Sequence, residues 1–129
     1  MKFAYRAQAL AACALVVVSL LSHIGCTPSA QSLALDKNVA RKSLQTFLET
    51  WQQGGDSKAL QTKSPSIIGR DPDWDGGRKL TQFALGEETD DGTNLHVVVT
   101  LTLDGDEAKS AKTTYVVGTS PVITIQRGD

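Results

Sequence analysis

The chain has 129 residues, of which 40% are hydrophobic and 5% aromatic, and its formal net charge at pH 7 is −1. This length suits one domain with a modest, mainly aliphatic core, and the charge balance provides no basic stripe for nucleic acid. Both cysteines, Cys13 and Cys26, lie close to the N-terminus. The rest of the chain therefore lacks the thiols that a disulfide framework, a thiolate zinc site or a cysteine nucleophile requires.

An export signal is predicted at the N-terminus. Lys2 and Arg6 form a basic segment, residues 7–21 form a mostly apolar stretch, and residues 22–30 are small or polar. This is the three-part layout of a signal peptide, and the apolar stretch is shorter than the roughly 20 residues that span a bilayer. Cleavage is therefore favoured over a permanent span, and it would leave 11 of the 13 basic residues against 14 acidic ones, a net charge of about −3.

The end of this signal resembles a bacterial lipobox, in which a small residue precedes an acylated cysteine. Here Ile24 and Gly25 precede Cys26, while His23 stands where an aliphatic residue is usual. The resemblance implies a signal peptide over residues 1–25, lipidation at Cys26 and a tether over residues 26–35 that holds the protein to a membrane of the cell envelope. The alternative is ordinary secretory cleavage after Ser29 or Ala30, which would release a secreted or periplasmic protein.

Residues 36–129 are predicted to form a single α+β domain that opens with an amphipathic helix. Asp36 is the predicted N-cap, and Gly54-Gly55 marks the end of this helix. A second, shorter helical turn is predicted over residues 56–62, with Leu60 pointing inward. The first helix is indicated by apolar residues that recur at helical spacing, namely Ala40, Leu44, Phe47, Leu48 and Trp51.

The second half of the domain changes to the two-residue period of β-strands. Residues 71–77 are too rich in Asp, Pro and Gly for regular structure. Because turn signals then separate successive apolar segments, we predict a curved four-stranded antiparallel sheet with the helices packed on one face. The predicted strands cover residues 80–85, 95–103, 110–117 and 122–127.

This order of elements resembles the SnoaL-like, nuclear-transport-factor-like class of cystatin-like α+β domains. Over residues 40–127, the chain is also similar to small exported bacterial proteins, through Trp51 with Gly54, residues 64–68, Asp73-Trp74 and residues 115–122. The resemblance implies a helix on a curved sheet, and dimers of such domains often form through the sheet. The architecture hosts isomerases, cyclases, hydrolases and binding modules, so it does not specify a function. Because no catalytic motif of these families matches here, no catalytic residue is assigned.

A calcium loop is the most tempting chemical motif. Asp71, Asp73, Asp75 and Gly76 fit the first positions of an EF-hand. The remaining positions do not fit: Lys79 and Gln82 stand where a ligand and a bidentate carboxylate are needed, Arg78 where an apolar residue is usual, and a strand follows instead of a helix. We therefore predict no metal site, with the aspartates capping turns and Trp74 closing the end of the core.

Acid–base chemistry is the other candidate, and strand parity argues against it. In the strand over residues 95–103 the odd positions are all aliphatic, so His96 is predicted to point outward from the sheet. Tyr115 is predicted to be a half-buried core residue with its hydroxyl at the rim. The acidic clusters at residues 87–91 and 104–107 are predicted to be exposed, solubilising charges at hairpin tips.

These observations favour a non-catalytic envelope lipoprotein that binds through its sheet surface, without cofactor, metal or nucleic acid. Its expected partners are the lipid membrane, through acylated Cys26, and a protein or second copy at the sheet face, where Val98, Thr100 and Thr102 point outward. The alternative is a minimal SnoaL-like enzyme or small-ligand carrier with a cavity between helix and sheet.

Overall fold

A computed structural model of the chain describes residues 34–105 and 110–128. The predicted signal peptide, Cys26 and most of the predicted tether lie outside the described residues. The helices are α1 (Lys37–Gln52), a 3₁₀ helix (Ser57–Thr62) and α2 (Pro72–Asp75). The strands are β1 (Ile67–Arg70), β2 (Leu80–Asp90), β3 (Asn94–Leu103), β4 (Ser110–Gly118) and β5 (Ile123–Arg127).

The described residues form an α+β fold in which α1 packs on a five-stranded mixed sheet, in the order β1-β5-β4-β3-β2. The prediction of four antiparallel strands is wrong, because β1 adds a fifth strand at the edge, parallel to β5, with Ile67 opposite Ile123. The other neighbouring pairs are antiparallel. Four residues, of which only Ile67 and Ile68 are large and apolar, are too few to show a strand period.

Helix α1 begins where the sequence predicted. Oδ1 of Asp36 accepts hydrogen bonds from the backbone N–H groups of Asn38 and Val39, both at 3.0 Å, which satisfies two of the helix's unpaired donors. After the helix ends, Gly54 has a φ of +77°, a conformation that glycine adopts without steric cost. The face that α1 buries contains all five predicted apolar residues together with Ser43.

Strand β2 is longer than predicted, since it continues beyond Leu85 to Asp90. Its register against β3 shifts between Leu85 and Glu88, which marks a bulge and bends the strand. Beyond the bulge, Glu88 forms a bidentate pair with Arg41 of α1, at 2.6 Å from Nε and 2.5 Å from Nη2. Lys37 similarly contacts Asp90 at 2.7 Å. These two carboxylates therefore connect the strand to the helix. Asp90 is exposed at the hairpin, as predicted, whereas Glu88 is partly buried within the strand, contrary to the prediction.

The core lies between α1 and one face of the sheet. Every odd-numbered residue from Leu95 to Leu103 is buried, and the even-numbered residues between them are partly exposed, as strand parity predicted. Leu60 of the 3₁₀ helix is also fully buried. The buried hydrophobic residues extend along the chain from Ala40 to Ile125. Burial of this aliphatic and aromatic surface is the main stabilising contribution to the fold.

Candidate functional site

The fold brings four polar residues from distant parts of the sequence, two of them close neighbours, together at one end of the core. Asp71 follows β1, Asp73 lies in α2, and Tyr115 of β4 is directly opposite Arg127 of β5. Because β1 runs parallel to β5 with Arg70 beside Gln126, the end of β1 delivers Asp71 to the end of β5. We call these four residues the buried polar cluster.

Asp71 is the centre of this cluster and is fully buried. Its Oδ2 accepts a hydrogen bond from the Tyr115 hydroxyl at 2.5 Å and lies 2.7 Å from Nη2 of Arg127. Its Oδ1 accepts the backbone N–H groups of Asp73 and Trp74, at 2.8 and 3.2 Å, and so caps α2. Arg127 also donates through Nη1 to Asp73 Oδ2 at 2.8 Å.

The surroundings of the cluster shift the pKa values of Tyr115 and Arg127. Burial, followed by the hydrogen bond to Asp71 and the negative charge of that carboxylate, raises the pKa of Tyr115 well above its ordinary value. Burial opposes the charge of Arg127, but the hydrogen bond to Asp73 and the charge of Asp71 raise its pKa overall. The tyrosine therefore stays neutral and the guanidinium stays charged at neutral pH.

Tyr115 shows where the sequence prediction was wrong. Its side chain is fully buried rather than half-buried, and its hydroxyl points at Asp71 rather than at a solvent-exposed rim. The aspartates of the calcium-like loop are also accounted for. Asp71 and Asp73 contact Arg127, and Asp75 Oδ2 lies 3.2 Å from the guanidinium of Arg70. As predicted, Asp71 caps a turn of backbone, although the turn is a four-residue helix.

Aromatic rings fill the space between α1 and the sheet beside this cluster. Trp74 stacks on Trp51 with ring centroids 5.6 Å apart, and Phe47 meets the edge of Trp74 at 5.0 Å. Both indole N–H groups donate to backbone carbonyls, those of Arg78 and Gly55. Trp74 thus closes the end of the core as predicted.

His96 lies on the opposite side of the sheet, as parity predicted. Its side chain is 36% exposed, and Nε2 lies 2.8 Å from Asp91 Oδ2 in the hairpin between β2 and β3. The contact with His96, supported by the backbone N–H groups of Asn94 and Thr93, lowers the pKa of Asp91 to about 2. This carboxylate organises the hairpin, since it is bonded to the loop's own backbone.

The sheet surface opposite α1 carries partly or fully exposed side chains. We call it the open sheet face and define it by the outward residues of four strands. It is rich in Thr and Val, its two cations are Arg70 and Lys112, and it contains no carboxylate. Its residues are Ile68 and Arg70 of β1, Thr124 and Gln126 of β5, Lys112, Thr114 and Val116 of β4, and His96, Val98, Thr100 and Thr102 of β3.

Comparison of the chain with protein families, with curated proteins and with solved structures finds no match. Within residues 34–105 and 110–128, no helix has both the length and the apolar character needed to cross a bilayer. The candidate site is therefore defined by its geometry alone. The members of the buried polar cluster bind one another, although Nε of Arg127 is buried without a hydrogen-bond partner among the described residues. The open sheet face is instead partly exposed and consists mainly of Thr and Val, with Arg70 and Lys112 as its cations.

Proposed function

We propose that this chain is a non-catalytic binding module of the bacterial cell envelope, attached to a lipid membrane through acylated Cys26. The observation that carries the proposal is the contrast between the two sides of the sheet. On the inner side, aromatic packing fills the space under α1, and Asp71, Tyr115 and Arg127 bind one another. On the outer side, β3 presents an uncharged row of Val98, Thr100 and Thr102.

The molecule on the open sheet face is, in this proposal, a second copy of the same chain. The four strands have 4, 5, 9 and 10 residues, so the face covers roughly 440 Å² at about 3.3 Å per residue and 4.8 Å between strands. Two such faces would bury roughly 900 Å² in total, which is the size of a weak, transient interface. The small Thr and Val side chains of the β3 row permit close sheet-on-sheet packing.

Self-association would also strengthen attachment to the membrane. One acyl chain holds a protein weakly, and stable anchoring requires additional chains or a second attachment. A dimer would present two acylated Cys26 residues to the same lipid layer. The alternative function, a minimal SnoaL-like enzyme or ligand carrier, receives less support because Phe47, Trp51 and Trp74 occupy the region where its cavity would lie.

Light scattering tests this proposal on the chain of residues 27–129, which retains every buried core residue. We expect a dimer in the micromolar range, and the Thr100→Arg variant should raise its dissociation constant about 100-fold or more. The reason is that the variant brings two arginines together at the centre of the interface, and such like-charge contacts cost several kcal/mol. The matched control is Thr93→Arg, in the exposed loop between β2 and β3.

The control variant should remain a dimer with the parent's dissociation constant. A parent chain that is monomeric throughout this concentration range would refute the second-copy proposal. Equal weakening by Thr93→Arg and Thr100→Arg would show that any added positive charge disrupts association, and it would remove the open sheet face from the proposal.

A further inference from the structure

A groove between α1 and the segment before β1 combines apolar and basic side chains. Its volume is about 320 Å³, and its lining includes Val39 and Lys42 of α1 with Lys63, Pro65 and Ile67 of the facing segment. It is separate from both the buried polar cluster and the open sheet face. Its two lysines lie on opposite walls, so they can approach the same molecular surface.

Two exposed hydrophobic side chains belong to this part of the fold. Val39, with 36% of its surface exposed, lines the groove itself. Val122, with 46% exposed, precedes Ile123, which is the partner of the lining residue Ile67 in the sheet. We call this region, comprising Val39, Lys42, Lys63, Pro65 and Val122, the basic-apolar end.

The charge of the basic-apolar end is available to an external partner. Within the part of the chain that the structure describes, neither Lys42 nor Lys63 forms an ion pair, whereas Lys37 is bound to Asp90. The nearest carboxylate in sequence, Asp36, is occupied in capping α1. Two free ammonium groups beside exposed aliphatic side chains complement a surface that is anionic outside and apolar beneath.

The chain enters the fold at this same end. The backbone N–H of Asp36 donates to Thr119 Oγ1 at 3.0 Å, which places the start of α1 next to the loop that leads to Val122. Only seven residues, 27–33, separate Cys26 from Ala34. Even fully extended, the eight steps from Cys26 to Ala34 reach at most about 29 Å. An anchor at Cys26 would therefore keep this end, rather than the opposite one, close to the lipid.

We propose that the basic-apolar end lies against an anionic lipid surface, with Lys42 and Lys63 at phospholipid headgroups and Val39 and Val122 at the interface. The orientation rests on the proposed anchor at Cys26. A short tether supplies a high effective concentration, so weak intrinsic affinity is sufficient. Membrane contact at this end would fix the orientation of the domain relative to the lipid surface. The open sheet face would then remain uncovered for a second copy.

The test uses the chain of residues 27–129, which has no cysteine to acylate, after circular dichroism has verified its folding. Cosedimentation is measured with vesicles of phosphatidylglycerol and phosphatidylcholine, and with vesicles of phosphatidylcholine alone. We expect binding to the anionic vesicles only, weakening as salt is raised. Each lysine contributes about fivefold to the partition coefficient between vesicle and water. The double variant Lys42→Gln with Lys63→Gln should therefore reduce this coefficient about 25-fold.

The matched control is Lys58→Gln with Lys79→Gln, two exposed lysines outside the basic-apolar end. It should bind as the parent does. Absence of binding to anionic vesicles, or equal loss in both double variants, would overturn the proposal. The chain tested carries no acyl group, so vesicle binding can be interpreted even if Cys26 is not acylated in the cell. Conversely, absence of vesicle binding would not contradict acylation of Cys26.

Discussion

Replacing Arg127 by alanine is expected to destabilise the fold by about 3–4 kcal/mol, a large part of the 5–15 kcal/mol typical of a whole domain. The reason is that Asp71 is fully buried and would lose the cation 2.7 Å from its Oδ2. Removing one partner of a buried ion pair leaves an uncompensated charge, although the 25% exposure of the Arg127 side chain reduces the effect. Urea unfolding monitored by circular dichroism measures this loss.

The structure offers a matched arginine for comparison. Arg70 lies on the neighbouring strand and pairs with Asp75, but its side chain is 83% exposed. Arg70→Ala should therefore change the free energy of unfolding by less than about 1 kcal/mol. Equal effects of the two substitutions would show that burial of Asp71 does not govern the stability of this end of the core.

Replacing Gly69 by alanine is expected to cost about 1–3 kcal/mol through overpacking. A Cβ at this position would lie 2.5 Å from Cδ2 of Phe47 and still closer to Cε2. The Phe47 ring has little freedom to retreat, because it contacts the rings of Trp74 and Tyr115 with centroids 5.0 and 6.2 Å away. The backbone of Gly69 imposes no positive φ, so the effect is steric.

A double-mutant cycle isolates this steric cost. In a Phe47→Leu background the ring is gone, so adding Gly69→Ala should cost at least about 1 kcal/mol less than it does in the parent. Unfolding in urea supplies all four free energies. Additive effects of the two substitutions would contradict the packing of β1 against α1, and with it the fifth strand of the sheet.

The elements that the sequence predicted well are those whose signal is local. Helix α1 repeats its apolar residues at helical spacing and begins at Asp36, and β3 alternates without interruption. Strand β1 lacked such a signal, because it has four residues and includes Gly69, which in a sequence indicates a break. Its place depends on pairing with β5, more than 50 residues away, and on the Phe47 ring that covers the glycine.

The buried polar cluster was missed for a related reason. Asp71 was recognised as a capping residue, but nothing near Tyr115 or Arg127 in the sequence indicates that they share a partner. Tyr115 and Arg127 meet as a cross-strand pair, and Asp71 reaches them only because β1 is parallel to β5. The sequence does contain one signal for the cluster. Arg127 shares the two-residue period of Ile123 and Ile125, which are buried, so strand parity places its charge on the inward face.

The proposed dimerisation and the proposed lipid contact both involve surface residues, while the buried polar cluster stabilises the fold. The open sheet face and the basic-apolar end are distinct, so a copy on one does not prevent lipid contact at the other. The buried polar cluster holds β1, α2 and β5 in fixed relation. Since Ile67, which lines the groove, belongs to β1, this cluster also supports the shape of the basic-apolar end.

Acylation of Cys26 is the claim on which the envelope assignment depends, and metabolic labelling tests it most directly. Bacteria expressing the full chain or its Cys26→Ala variant are supplied with a radioactive fatty acid, and the protein is recovered from the membrane fraction. The account predicts label in the parent chain, none in the variant, and a mature parent that begins at Cys26. Equal labelling of the two chains, or a recovered polypeptide that still begins at Met1, would contradict it.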